Sequence, residues 1–88
     1  MCRNIRPLFN FDPPVTDEEI HAASLQFVRK ISGFAKPSKA NEAVFLRAVN
    51  DVSAVSRNLL NALQSASPPK NREVEAARAR ERSAKRWA

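Results

Sequence analysis

The chain predicts an all-α fold: an antiparallel helical hairpin over residues 16–33 and 38–64, an extended N-terminal arm packed over it, and a basic, partly disordered C-terminal tail. Three observations carry that expectation. Residues 15–33, VTDEEIHAASLQFVRKISG, hold the start and stop signals of a single helix. Residues 41–64, NEAVFLRAVNDVSAVSRNLLNALQ, lack Gly and Pro and repeat apolar residues three and four apart. The composition, with one Gly, five Phe, no Tyr and 43% apolar residues, suits a small helical protein.

The arm comes first. MCRNIRPLFNFDPP has neither helical nor strand periodicity, and Pro7, Pro13 and Pro14 exclude a helix interior. Ile5, Leu8, Phe9 and Phe11 are nevertheless too apolar for a free terminus, so the arm is expected to lend its rings to the core. Each large side chain fully covered there contributes roughly 1.5–3 kcal/mol.

The first helix follows from a capping box: Thr16 at the cap and Glu19 three residues on, flanked by the apolar pair Val15 and Ile20. Arg29 and Lys30 suit the negative end of the helix dipole, and Gly33 suits a left-handed stop. Ile20, Ala23, Phe27, Ile31 and Phe34 form the predicted apolar stripe. Leu25 and Val28 fall off it and call for a second contact. Asp17, Glu18, His21 and Arg29 take the wet side.

Pro37 ends any continuation, and either Ser38 or Asn41 caps the second helix. Phe45, Ala48, Val52, Val55, Leu59 and Ala62 make its stripe, widened by Val44, Val49, Leu60 and Leu63. At 1.5 Å per residue this helix spans about 40 Å against about 24 Å for the first. It overhangs, and Val55, Leu59, Leu60 and Leu63 require cover from the arm, a second copy or another molecule. SASPPKN, residues 65–71, reads as a linker, separating a helical domain (1–65) from a linker and tail (66–88). The tail, REVEAARARERSAKRWA, is a short charged helix at best, supported by the Glu81–Lys85 spacing and marginal in water.

These segments resemble a known family. MCRNIRPLFNFDPP, then TDEEIHAASLQFVRKISG and KPSKANEAVF, is similar to short bacterial proteins classed as a domain of unknown function, DUF2277. The resemblance covers residues 1 to about 64 and leaves the tail from Pro68 outside it. It implies a small bacterial cytoplasmic protein and brings no activity, cofactor or catalytic residue.

Composition narrows the classes of function. The lone Cys excludes an intramolecular disulfide framework. No apolar run is long enough to cross a bilayer, which argues against a membrane partner, and residues 1–15 do not read as a signal sequence. A cytoplasmic location is expected, with no cofactor, metal or catalytic signature in the chain. Of the net charge of +6, the larger share lies in residues 70–88, where seven Lys/Arg face three Glu.

Three candidate sites follow. Arg29, Lys30, Lys36 and Lys39 surround Ser38 at a helix start, where an anion finds free N–H groups; the plainer reading is a helix cap among solvated lysines. Cys2, with Arg3 and Arg6, is the second. Removal of Met1 leaves Cys2 presenting both an amine and a thiol, yet no base is paired with it. The two arginines either anchor the arm to Asp17, Glu18 or Asp51 or contact an anion. Third, the tail arginines with Trp87 have the composition of a nucleic-acid contact. The function expected is a non-enzymatic homodimeric scaffold or adaptor that engages its own copy or an unknown protein partner through Val55, Leu59, Leu60 and Leu63. A nucleic-acid-associated role through the basic turn and tail is the alternative. An enzyme working through Cys2 lacks a second catalytic group.

Overall fold

The computed structural model describes residues 5–87, and the fold is mostly helical. In chain order the elements are β1 (Phe11–Asp12), α1 (Asp17–Ser32), a 3-10 turn (Lys39–Asn41), α2 (Glu42–Ala62), β2 (Lys70–Asn71) and α3 (Arg72–Trp87).

The ends of α1 are those its sequence dictates. The Thr16 hydroxyl accepts from the Glu19 N–H at 3.2 Å, and Glu19 Oε1 accepts from the Thr16 N–H at 3.0 Å, closing the capping box. Gly33 adopts φ 78° and donates its N–H to the Arg29 carbonyl at 3.0 Å. The buried line of α1 is Ile20, Ser24 and Val28, with Leu25 packed beside it. That corrects the predicted stripe: Phe27 is 43% and Ile31 68% exposed, while Val28 faces the core. Successive positions on a helix are only about 100° apart, so the choice between Phe27 and Val28 belongs to the partner helix. Ser24 is tolerated inside because its hydroxyl donates to the Ile20 carbonyl at 2.8 Å.

The rod α2 is continuous, preceded by the short 3-10 turn. Ser38 makes no side-chain cap; its Oγ accepts from Asn41 Nδ2 at 2.9 Å instead. Val28 clusters with Phe45 and Val49, and Leu25, Ala48 and Val52 pack against them. Further along α2, Arg57 donates from Nε at 2.9 Å and Nη2 at 2.5 Å to Asp17 Oδ1. Asp17, one of three carboxylates offered by the sequence as anchors for an arm arginine, is thus held by Arg57 from α2.

The tail differs most from expectation. Residues 72–87 are helical, and their start is joined to the arm. β1 and β2 pair in parallel, Phe11 with Lys70 and Asp12 with Asn71, and the Lys70 N–H donates to the Asn10 carbonyl at 2.8 Å. Asn10 takes φ 65°, a left-handed conformation that Asn tolerates better than most residues. Its Nδ2 lies within 3.3–3.4 Å of Ser65 Oγ and the carbonyls of Ser67 and Pro68. Asn71 Oδ1 accepts from the Val74 N–H at 3.0 Å, a side-chain cap on α3. Leu8, Phe9 and Phe11 end half-buried and Ile5 exposed, so the arm's rings are only partly covered.

Candidate functional site

Two grooves lie on either side of the arm. The first, about 330 Å³, is bordered by Ile5 and Leu8 of the arm, Ile20 and Phe27 of α1, and Val52 and Leu59 of α2. Its walls are almost wholly apolar because the helix flanks just outside the α1–α2 contact meet there, with the arm's Ile5 and Leu8 along one border. Leu60 also borders it and is half-buried. Val55, Leu59 and Leu63 are 68%, 55% and 43% exposed. Three of the four positions proposed for self-association therefore face solvent, while Leu60 turns partly inward.

The second groove, about 450 Å³, separates the arm from α3. Arg6, Lys70, Arg72 and Arg82 line it together with Glu19 and Glu75, over a floor that includes Phe11 and Ala79. Both carboxylates are engaged. Glu19 accepts from Arg72 Nη2 at 2.8 and 2.6 Å, and Glu75 from Arg78 Nη1 at 3.3 Å. The Arg72 guanidinium, followed by the Thr16 N–H, holds the Glu19 carboxyl below its ordinary range. Lys70 Nζ stands 5.7 Å from the centre of the Phe11 ring, within cation–π range. Arg6 and Arg82 pair with no carboxylate among the described residues.

The positions singled out in the sequence are placed unevenly. Lys30, Lys36, Ser38 and Lys39 are exposed along the end of α1 and the following turn, and Arg29 is half-buried with its Nε lacking a hydrogen-bond partner. None of the five lines either groove. The Ser38 hydroxyl oxygen accepts from Asn41 Nδ2, and the hydroxyl caps no backbone group of the helix that follows. Arg6 reaches both grooves, having no anchor to Asp17, Glu18 or Asp51. Cys2 and Arg3 lie outside the described residues, as do the side chains of Arg86 and Trp87. His21 is exposed.

Sequence reasoning missed Asn10, Lys70, Arg72 and Asn71. The last carried a signal: Asn followed within two and four residues by Glu73 and Glu75 has the form of a helix start with an acidic first turn. The other three act across more than fifty residues of chain, which no local pattern encodes.

No described helix is long and apolar enough to cross a membrane. No curated protein and no solved structure matches the chain. A family model does, over residues 1–78, so the match takes in the linker and the first part of α3 as well as the segment in which the resemblance was first read. Spanning most of its length, that match makes the chain a member of the family of uncharacterized conserved proteins designated DUF2277.

Proposed function

We propose that the protein is a non-enzymatic, homodimeric interaction module built on an antiparallel α1–α2 hairpin with the arm lying over it. The observation that carries this reading is the solvent-facing apolar flank of α2, where Val55, Leu59 and Leu63 meet water. Within the chain, α2 is covered along Phe45, Val49, Val52, Ser56 and Leu60. The stripe Phe45, Ala48, Val52, Val55, Leu59 and Ala62 follows a different period, alternating three and four residues. A 3.5-residue repeat drifts about 20° per heptad around a straight helix. This stripe therefore begins at the buried Phe45 and ends at the exposed Val55, Leu59 and Ala62. Two such stripes related by a two-fold axis are self-complementary, which favours a second copy as the partner.

Sedimentation tests the reading. A dimer at micromolar concentration that Leu59→Glu converts to a folded monomer supports it; a wild-type monomer at high micromolar concentration overturns it. The alternative, association with nucleic acid, draws on the basic exposed side of α3 (Arg78, Arg80, Lys85). Its test is the salt dependence of oligonucleotide binding in charge-neutralised variants of those residues. Deletion of residues 70–88 is no clean test, because it also removes β2 and the Arg72–Glu19 pair.

A further inference from the structure

The groove between the arm and α3 is lined by charges from three segments over apolar walls, and we infer that it binds a small organic phosphate monoester of nucleotide size. Three separate segments supply its cations: Arg6 from the arm, Lys70 from β2, and Arg72 and Arg82 from α3. Against two lining carboxylates these leave two positive charges in excess. A phosphate monoester carries about −1.5 to −2 at neutral pH and offers three acceptor oxygens, so it balances that excess. Bidentate donation to phosphate is what guanidinium groups do well.

The surplus is concentrated on particular groups. Arg72 is committed to Glu19, and Glu75 to Arg78, which takes both carboxylates out of competition for Arg6, Lys70 and Arg82. Arg6 and Arg82 have no carboxylate of their own among the described residues, and Lys70 leans on the Phe11 ring. A free inorganic anion would leave the rest of the groove unfilled, because Leu8, Phe11, Ala76 and Ala79 give it apolar walls. A flat ring laid on Phe11 and the alanines of α3 removes that surface from water while its phosphate meets the cations. At about 450 Å³ the groove is within the range of small-molecule pockets, which run from about 300 to 1,000 Å³. It is too small for a stretch of polynucleotide. By touching the arm and α3 together, the ligand also fixes α3 against the rest of the chain.

Adenosine monophosphate is the probe, titrated into isotopically labelled full-length protein and followed by NMR. The expected result is saturable shift changes at Arg6, Phe11, Lys70, Ala79 and Arg82, with inorganic phosphate and adenosine each at least about tenfold weaker. Arg6→Ala and Arg82→Gln should each weaken binding about tenfold, since each removes a charged donor. Arg80→Ala, on a residue of α3 that does not line the groove, should change it less than about twofold. Circular dichroism of each variant establishes that the helices persist, and two variants from different segments guard against one failing to fold. No shift at low millimolar adenosine monophosphate overturns the inference. So do shifts centred on Lys36 and Lys39, equal binding of inorganic phosphate, or binding of an oligonucleotide by protein that ignores the mononucleotide.

Discussion

The Glu19 carboxylate accepts from the Thr16 N–H within its own helix cap and from Arg72, fifty-three residues along the chain. One side chain therefore fixes the start of α1 and the attachment of α3. Its carboxyl is held below the ordinary value of 4.5, first by the Arg72 hydrogen bonds and then by the Thr16 N–H. A lowered folded-state value means that the anion is favoured in the folded chain. Its contribution is complete above the unfolded value and is lost as the pH falls through the folded one. Both side chains of the pair remain about one-third exposed, so water screens it and the contribution stays below about 1 kcal/mol. Protection against hydrogen exchange at the first turn of α3, taken relative to the intrinsic rate at each pH, should accordingly be flat from neutral pH down to about 4.5 and fall below it. Glu19→Gln keeps an oxygen for the Thr16 N–H but discards the charge. That variant should exchange faster at neutral pH and lose most of the acid response; an unchanged acid response would assign it to another carboxylate.

At the scale of elements, local chemistry was legible and remote chemistry was not. The two ends of α1 could be read because a capping box and a C-terminal glycine act within four residues of themselves. Its buried side could not be fixed to the residue, since Phe27 and Val28 are both plausible until the position of Phe45 and Val49 on α2 is known. Asn41 and Ser38 competed for the start of α2, and the chain resolves the competition by bonding one to the other ahead of the helix. The basic groove was invisible because Arg6, Lys70 and Arg82 are brought together by the parallel β1–β2 pairing. The structured start of α3 follows from that pairing and from Asn71. A sixteen-residue charged helix is marginal alone, so its first turn must be held from outside. Asn71→Ala removes the oxygen that accepts from the Val74 N–H and should cost about 1 kcal/mol, concentrated in α3. Circular dichroism should report the loss as reduced helix content with α1 and α2 intact; full helicity would mean that the β1–β2 bridge and Arg72 suffice.

For the whole molecule, the decisive quantity is surface. A compact monomer of 9.8 kDa is expected to expose about 5,200 Å², whereas this chain exposes 7270 Å². Its radius of gyration, 15.5 Å, likewise exceeds the roughly 12 Å of a compact domain of this length, and its shortest dimension is 18 Å. The molecule is a thin plate. Part of the extra area is the charged side of α3, which water accommodates. Another part is the apolar flank of α2 with Phe27 and Ile31, which water does not. Each partner of a standard interface covers about 800 Å², well within an excess of about 2,100 Å². If a second copy supplies that cover, association and folding are linked, and the melting temperature must rise with protein concentration. A hundredfold increase in concentration above the dissociation constant contributes about 2.7 kcal/mol per dimer, or about 1.4 kcal/mol per chain, a shift of roughly five to ten degrees for a domain this small. Leu59→Glu should flatten that dependence while leaving Ile20, Val28, Phe45 and Val49 packed, because Leu59 lies outside their cluster. A melting temperature that ignores concentration in the wild-type chain would mean that the flank of α2 stays open to water, and the dimer would have to be given up.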